Sequence, residues 1–448
     1  MQDFREYFRG KKITVMGLGL LGRGIGDAVF LAERGAKLTI TDIKSKEQLR
    51  ESLKRLKKFK NITYVLGKHN LEDFQNCDLV LKNPAIPLDS IYIKEARENN
   101  IPVEMSATLF SKLSGLPMVA VTGTRGKSTV THLIAHILKS SGKKIILGGN
   151  VRGVSSLQLL KDVKNKDVAV FELDSWQLQG FGDSKISPHI SVFTNFFPDH
   201  MGYYKGSMRK YFSDKSHIFN YQKNKDVLIV GKQAVPFIEK WGGKIKSKIT
   251  VPKEQLPKDW KFNLPGLHNE YNATLAIEVA RSLSIPEAKI KKALRTFTSL
   301  SGRLEFLRSL NGVKIYNDNS STTQEATIAA LRAVGDLKMR KVVLIIGGDN
   351  KFLNMSGLLR EIPKFCSKVV LFKERGTDLI RDKVFKFKKR GIEVYEEKNL
   401  QNTVRRAFSV AKSGETILYS PAFFSFGKHF KNEFDRGDQF VKIVKNLK

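Results

Sequence analysis

Short apolar runs punctuate the chain at residues 13–16, 37–41, 62–66, 79–81 and around Val103. They recur at 117–121, 144–147, 168–173 and 190–195, and again at 313–316, 341–346, 368–372, 392–395 and 416–419. Runs of this length, closed by Gly, Asn or Pro, predict strands buried on both faces. Helices are predicted after Gly22 to about Arg34, over 130–140, where apolar residues fall at helical spacing, and over 207–219. Strand–helix alternation of this kind predicts parallel sheets covered by helices. At 448 residues the chain is too long for one core. The expected fold is α/β in three domains: an N-terminal Rossmann-like domain at 1–106, a central P-loop-type ATPase at 107–300 and a C-terminal Rossmann-like domain at 301–448.

The run at 117–121 opens onto Thr122-Gly123-Thr124-Arg125-Gly126-Lys127-Ser128-Thr129 and then the helix. Strand, glycine loop and helix N-terminus together make a phosphate cradle, because backbone N–H groups and the helix dipole converge on one spot. Lys127 adds a point charge for outer phosphates and Ser128 a hydroxyl for Mg²⁺. Glu172, near the end of the strand at 168–173, is a carboxylate in the position of a Mg²⁺ partner. An ordinary glycine turn is the bland alternative, and the loop alone says only "nucleotide triphosphate".

The first region contains Gly17-Leu18-Gly19-Leu20-Leu21-Gly22 after a strand, with Asp42 twenty positions past Gly22. By spacing this is a dinucleotide fingerprint with its ribose acid. NAD is one ligand for it; another phosphate-bearing ligand, or a purely structural strand–helix turn, fits the same glycines. In the third region polar clusters follow three strands, at 317–323, 347–351 and 420–426. Polar loops at one sheet edge line a pocket, and helix-capping turns are the alternative. His132 and His136 share a helix face, but no glutamate follows His132, so a zincin reading fails.

Composition changes the picture in two ways. Lys+Arg number 78 against 44 Asp+Glu, a net charge of +34. That raises nucleic acid as a partner. The basic residues are spread along the chain, however, and solvated helix faces explain them without nucleic acid. The two cysteines, Cys77 and Cys366, exclude a disulfide framework and a cysteine zinc site. No run of eighteen apolar residues and no apolar signal core occur, so a cytoplasmic protein is expected.

Taken together, GTRGKST at 123–129, FELDSWQL at 171–178, TNFFPDH at 194–200, HNEYNA at 268–273, GRLE at 302–305, NDNSSTT at 317–323, GGDNK at 347–351 and SPAFFSFGKHFKNEFDRG at 420–437 resemble the Mur ligases. These are ATP-dependent amide-forming enzymes of peptidoglycan precursor synthesis. The chain is most similar to the branch that adds D-glutamate to UDP-N-acetylmuramoyl-L-alanine. The resemblance implies that Gly19, Leu20, Leu21, Ile43 and Lys44 grip UDP and that Asn150 contacts the muramoyl substrate. It implies that Gly123, Thr124, Gly126, Lys127, Ser128, Thr129, Asn272, Arg303 and Asp318 bind ATP. Ser128 and Glu172 would hold one Mg²⁺, and His200 with Lys215, carrying a carbamate, a second. Thr322, Lys351, Ser425 and Phe434 fall where the family binds D-glutamate. Lys127, Glu172, His200 and Lys215 form the expected catalytic set. A monomer is expected, with no nucleic-acid or membrane partner. Another amide ligase of the superfamily and, less favoured, a nucleic-acid-binding ATPase are the alternatives.

Overall fold

The computed structural model of the protein describes residues 4–19, 22–349, 354–425 and 429–448. Leu20, Leu21 and Lys351 lie outside the described residues. The chain forms two compact units, Met1–Glu254 with Asn272–Leu294, and Gln255–Tyr271 with Arg295–Lys448. Three sheets are built within them, one for each expected domain.

The first sheet has the order β3-β2-β1-β4-β5, formed by β1 (Lys12–Met16), β2 (Lys37–Asp42), β3 (Ile62–Leu66), β4 (Leu79–Lys82) and β5 (Val103–Glu104), all parallel. The order reverses beside β1, so the crevice at the carboxyl ends of the strands opens there. The second sheet runs β11-β10-β9-β6-β8-β7, from β6 (Met118–Thr122), β7 (Ile145–Gly149), β8 (Val168–Glu172), β9 (Ile190–Phe193), β10 (Val227–Val230) and β11 (Lys248–Thr250). Strands β6, β8 and β9 are buried along their whole length, as their unbroken apolar runs require.

The third sheet lies in the other unit, with the order β12-β13-β17-β14-β15-β16. Its strands are β12 (Glu305–Leu310), β13 (Val313–Asn317), β14 (Val342–Ile346), β15 (Cys366–Phe372), β16 (Glu393–Glu397) and β17 (Thr416–Tyr419). All pair in parallel except β12, an antiparallel edge strand on β13. Periodicity did not anticipate β10, β11 or β12. Val-Leu-Ile-Val at β10 is too short to separate from a helix segment. β11 and β12 are half-exposed edge strands without a clean apolar run.

Local chemistry sets the helix starts. Asp174 caps the helix Ser175–Asp183 in a reciprocal box with Gln177. Ser207 caps Met208–Ser216, and Asn432 caps Glu433–Lys445 through the N–H groups of Phe434 and Asp435. The first two sheets are joined by buried polar contacts. Asp27 Oδ1 accepts from Ser155 Oγ at 2.5 Å and Ser106 Oγ at 2.8 Å, and Gln158 Nε2 donates to Gly26 O at 2.9 Å. Burial raises the Asp27 carboxyl to about 6. Among the described residues no helix is long and apolar enough to cross a membrane.

Candidate functional site

At the first sheet's edge, Asp42 ends β2 with 2% exposure. Its Oδ2 accepts from Leu18 N at 2.9 Å and Gly19 N at 3.4 Å, and its Oδ1 from Lys44 N at 2.9 Å. The spacing that marks a ribose acid is present, but this carboxylate is turned into the glycine loop. Both of its oxygens are engaged by backbone N–H groups, so it shapes the loop and is not held out toward a ribose. Next to it Ile43 is 69% exposed, an apolar side chain at the rim of the crevice. The loop after β4 covers the glycine loop from the other side: Asn83 Nδ2 donates to Gly17 O at 3.3 Å. Buried Lys82 secures that loop by donating to Asn83 O, Pro84 O and Ile86 O at 3.3, 3.2 and 2.6 Å.

The phosphate loop joins β6 to the helix Lys127–Ser140. Two of its glycines are sterically required. A Cβ on Gly123 (φ 135°) would stand 2.0 Å from Thr194 Oγ1, and one on Gly126 (φ 79°) 2.5 Å from Asn272 Oδ1. The segment after β9 latches onto this loop. Arg125 N donates to Asn195 Oδ1 at 2.8 Å, Thr194 Oγ1 donates to Arg125 O at 2.6 Å, and Arg125 Nη1 meets Asp199 Oδ2 at 2.9 Å. The loop is thereby pre-shaped by contacts that lie more than sixty residues away in sequence.

Three expected catalytic side chains converge on it. Ser128 Oγ donates to Glu172 Oε2 at 2.5 Å, and Asn150 Nδ2 donates to Glu172 Oε1 at 3.2 Å. Glu172 is 4% exposed, and these donors are neutral. A buried carboxylate with a hydroxyl beside it and no hydrogen-bonded cation among the described residues fits a hard divalent ion. Lys127 Nζ donates to Gly123 O and Thr124 O, both at 3.2 Å, and Lys215 Nζ donates to the same Gly123 O at 2.8 Å. Lys215 is 1% exposed. Burial first, and the neighbouring Lys127 charge second, hold its amine well below the ordinary lysine range. Burial also lowers Lys127. His200 flanks the other face of this corner. Its ring centroid is 6.3 Å from that of Tyr211, whose ring centroid lies 4.9 Å from Lys215 Nζ, and 4.9 Å from Trp176. Among the described residues no three His, Cys, Asp or Glu side chains form a metal cluster by themselves, so any ion here needs the hydroxyl and ligand oxygens as well.

In the second unit, the loops after β13, β14 and β17 meet at one carboxyl edge. Asp318 Oδ2 accepts from Ser420 Oγ at 2.7 Å and from Ser321 Oγ at 2.5 Å, and burial raises its carboxyl to about 6. Ala422 N donates to Ser321 O at 2.9 Å and Asp349 N to Phe424 O at 3.0 Å. Arg436, wholly buried, ties these loops together. It donates to Asn319 Oδ1 at 2.7 Å, Asn319 O at 2.9 Å, Phe424 O at 3.1 Å and Phe423 O at 3.2 Å. Ser425 is 3% exposed, and its Oγ has no hydrogen-bond partner among the described residues.

The structure thus gathers Gly123, Thr124, Gly126, Lys127, Ser128, Thr129, Asn150, Glu172, Lys215 and Asn272 in one unit, with His200 beside Tyr211. Gly19, Ile43 and Lys44 stand around Asp42 in that unit. Arg303, Asp318, Thr322, Ser425 and Phe434 belong to the other unit; Thr322 and Phe434 are half-buried. Sequence reasoning assigned no role to Asn195, Arg125 or Arg436, although all three lie in or beside the quoted motifs. Their signal was available only for Arg436, a cation on the buried face of the helix Glu433–Lys445.

Comparison with known proteins covers the whole chain. Residues 11–104 match the Mur ligase MurD-like N-terminal domain, 121–259 the Mur ligase middle domain and 302–423 the Mur ligase glutamate ligase domain. The UDP-N-acetylmuramoylalanine–D-glutamate ligase of Borreliella burgdorferi is 35% identical over 464 residues, covering 99% of both chains. That of a Roseiflexus species is 33% identical, covering 98% of this chain and 99% of its own. Among solved structures, the UDP-N-acetylmuramate–alanine ligase of Thermotoga maritima superposes with a TM-score of 0.62 at 20% identity, covering 98% of this chain and all of its own. At that identity the last likeness speaks for the fold alone.

Proposed function

Because the chain belongs to the Mur ligase family, we propose that it joins D-glutamate to UDP-N-acetylmuramoyl-L-alanine, with ATP as the activating co-substrate, in the cytoplasm. The likeness to D-glutamate ligases along nearly the full chain supports this substrate pair. The observation that carries the chemistry is the convergence of two lysine amines and a buried carboxylate on one phosphate loop.

ATP phosphorylates the substrate carboxylate to an acyl phosphate, the amine of D-glutamate attacks it, and phosphate leaves. Lys127 gives up its loop carbonyls and offsets charge on the outer phosphates. Ser128 and Glu172 would hold a Mg²⁺, which when bound supplies further charge compensation for the phosphoryl group. Burial and the Lys127 charge lower the Lys215 amine, which favours its adding to CO₂ as the free base, forming an N–C bond and releasing one proton to solvent. The resulting carbamate, with His200, offers hard oxygen and nitrogen donors for a second Mg²⁺. Thr124, Gly126 and Thr129 line the ATP phosphates; Asn272, Arg303 and Asp318 address the rest of ATP.

In the first sheet Gly19, Leu20, Leu21, Ile43 and Lys44 receive the UDP moiety, with the exposed face of Ile43 available to the uracil ring. Asn150, already hydrogen-bonded to Glu172 and to Arg23 Nη1 at 2.6 Å, turns toward the muramoyl substrate. D-glutamate brings two carboxylates, for which Lys351 supplies charge and Thr322 and Ser425 supply hydroxyls. Phe434 packs beside it.

ADP release measured with UDP-N-acetylmuramoyl-L-alanine across a panel of D- and L-amino acids tests the assignment. D-glutamate should support turnover and the others should not. Turnover with a different amino acid and none with D-glutamate would overturn it.

A further inference from the structure

The amino-terminal edge of the third sheet carries a feature that ligation chemistry does not use. Before β14 the chain reads Asp336-Leu337-Lys338-Met339-Arg340-Lys341. Leu337 and Met339 are 69% and 51% exposed, and the three cations interleaved with and following them are exposed too. Arg340 Nη1 donates to Arg390 O at 3.2 Å, which ties this stretch to the 3₁₀ turn Lys386–Arg390. That turn exposes Lys386, Lys388, Lys389 and Arg390 while burying Phe387. Asp336, the exposed acid at the start, is engaged locally, accepting from Lys338 N at 2.7 Å. No ion pair joins any of the seven cations to a carboxylate among the described residues.

Single exposed apolar residues need no explanation. Two of them interleaved with cations, beside a second run of cations, make an amphipathic surface of the interfacial kind. A nucleic acid would neutralise the same charges, but it gains its apolar contacts by stacking bases on aromatic rings. This patch presents Leu and Met at its exposed positions; Phe387 is buried, and the half-buried Phe385 ring is already covered by Lys388, whose Nζ stands 5.1 Å from its centroid. Position matters as well. In parallel strands the amino ends of β14 and β16 lie at the edge opposite the loops 318–323, 347–349 and 420–425. A surface seated there leaves those loops open.

We infer that this face docks on an anionic lipid bilayer, with Leu337 and Met339 entering the headgroup layer and the seven cations lying on lipid phosphates. The inference goes beyond the ligase reading and departs from the expectation of no membrane partner.

Flotation of the full-length protein with phosphatidylcholine vesicles, with and without phosphatidylglycerol, tests it. Binding should be at least about tenfold stronger with the anionic lipid and should fall as salt rises. The double variant Leu337→Ser/Met339→Ser and the triple variant Lys388→Glu/Lys389→Glu/Arg390→Glu should each lose most of it, with ADP release unchanged. The variant Arg55→Glu/Lys57→Glu/Lys58→Glu carries the same charge change on another exposed basic run and should keep it. Absence of binding to the anionic vesicles would overturn the inference. Equal loss in the 55–58 variant would also overturn it, reducing the effect to the global charge of +34. Full binding by the Leu337/Met339 variant would remove the insertion, and patch-dependent binding of a DNA or RNA oligonucleotide in place of vesicles would assign the face to nucleic acid.

Discussion

Replacing Ser425 by alanine should move stability and substrate affinity in opposite directions. Its hydroxyl is buried and finds no partner among the described residues. Removing a polar group from such a place relieves an uncompensated desolvation of about 1–3 kcal/mol. Part of this is lost to the poorer fit of a smaller side chain, so a net gain on the order of 1 kcal/mol is expected. In a unit of this size that is a rise in Tm of about 2–4 °C. The same hydroxyl is proposed to donate to a D-glutamate carboxylate. A charge-assisted hydrogen bond contributes about 1.5–3 kcal/mol, so KM for D-glutamate should rise roughly tenfold to 150-fold. The KM for ATP should stay within about twofold of wild type, since no ATP role falls on Ser425. Thermal scanning without ligands and initial-rate ADP release against each substrate read the two effects separately. A lowered Tm with an unchanged KM for D-glutamate would refute the reasoning, because it would mean that the hydroxyl serves the fold.

Lys127→Ala should lower turnover by several orders of magnitude with circular dichroism unchanged, because its amine contacts only loop carbonyls; near-normal ADP release would displace the cradle. Lys215→Ala should be nearly inactive and partly rescued by short carboxylic acids that replace the carbamate oxygens, whereas full activity of the variant would remove Lys215 from the site. Calorimetry should detect uridine nucleotides and not NAD(H), since Asp42, the expected ribose acid, is committed to the N–H groups of Leu18, Gly19 and Lys44; tight NAD binding would contradict that geometry. Burial raises the Asp27 carboxyl to about 6 in the fold, above the ordinary aspartate range. Its contribution is therefore fully present below about pH 4 and lost as pH rises through about 6, a swing of at most about 3 kcal/mol. Denaturant unfolding of wild type and Asp27→Asn across that range should show wild type losing stability relative to the variant; a difference flat in pH would refute the buried-acid account.

What the sequence disclosed was local. The phosphate loop is four consecutive residues, 123–126, between a strand and a helix, and its strand, glycines and lysine fall where periodicity put them. Glu172 was legible because it ends an apolar strand beside that loop. Asp42 shows where spacing fails: its separation from the glycines is right for a ribose acid, yet which way a carboxylate turns depends on the amides within reach. Arg436 showed only as a cation on the buried face of its helix; its partners, Asn319 after β13 and Phe423 and Phe424 after β17, come together only when those strands pair. The burial of Lys215 and its approach, with Lys127, to a single carbonyl are likewise tertiary facts, and burial first and the Lys127 charge second lower the Lys215 amine. The edge strands β11 and β12 were missed because half-exposed strands need not carry an apolar run.

Asp27 and its two serines also bear on heredity. A first domain transplanted from a relative would bring its own residue to this seam and meet Ser106 and Ser155 already in place. An apolar newcomer would strand two hydroxyls in a dry interface, and a retained aspartate facing two alanines would lose both hydroxyl donors of a buried acid. Neither half can change alone without loss. The first two sheets are therefore a single unit of recombination, and a viable hybrid of this protein has its crossover after them.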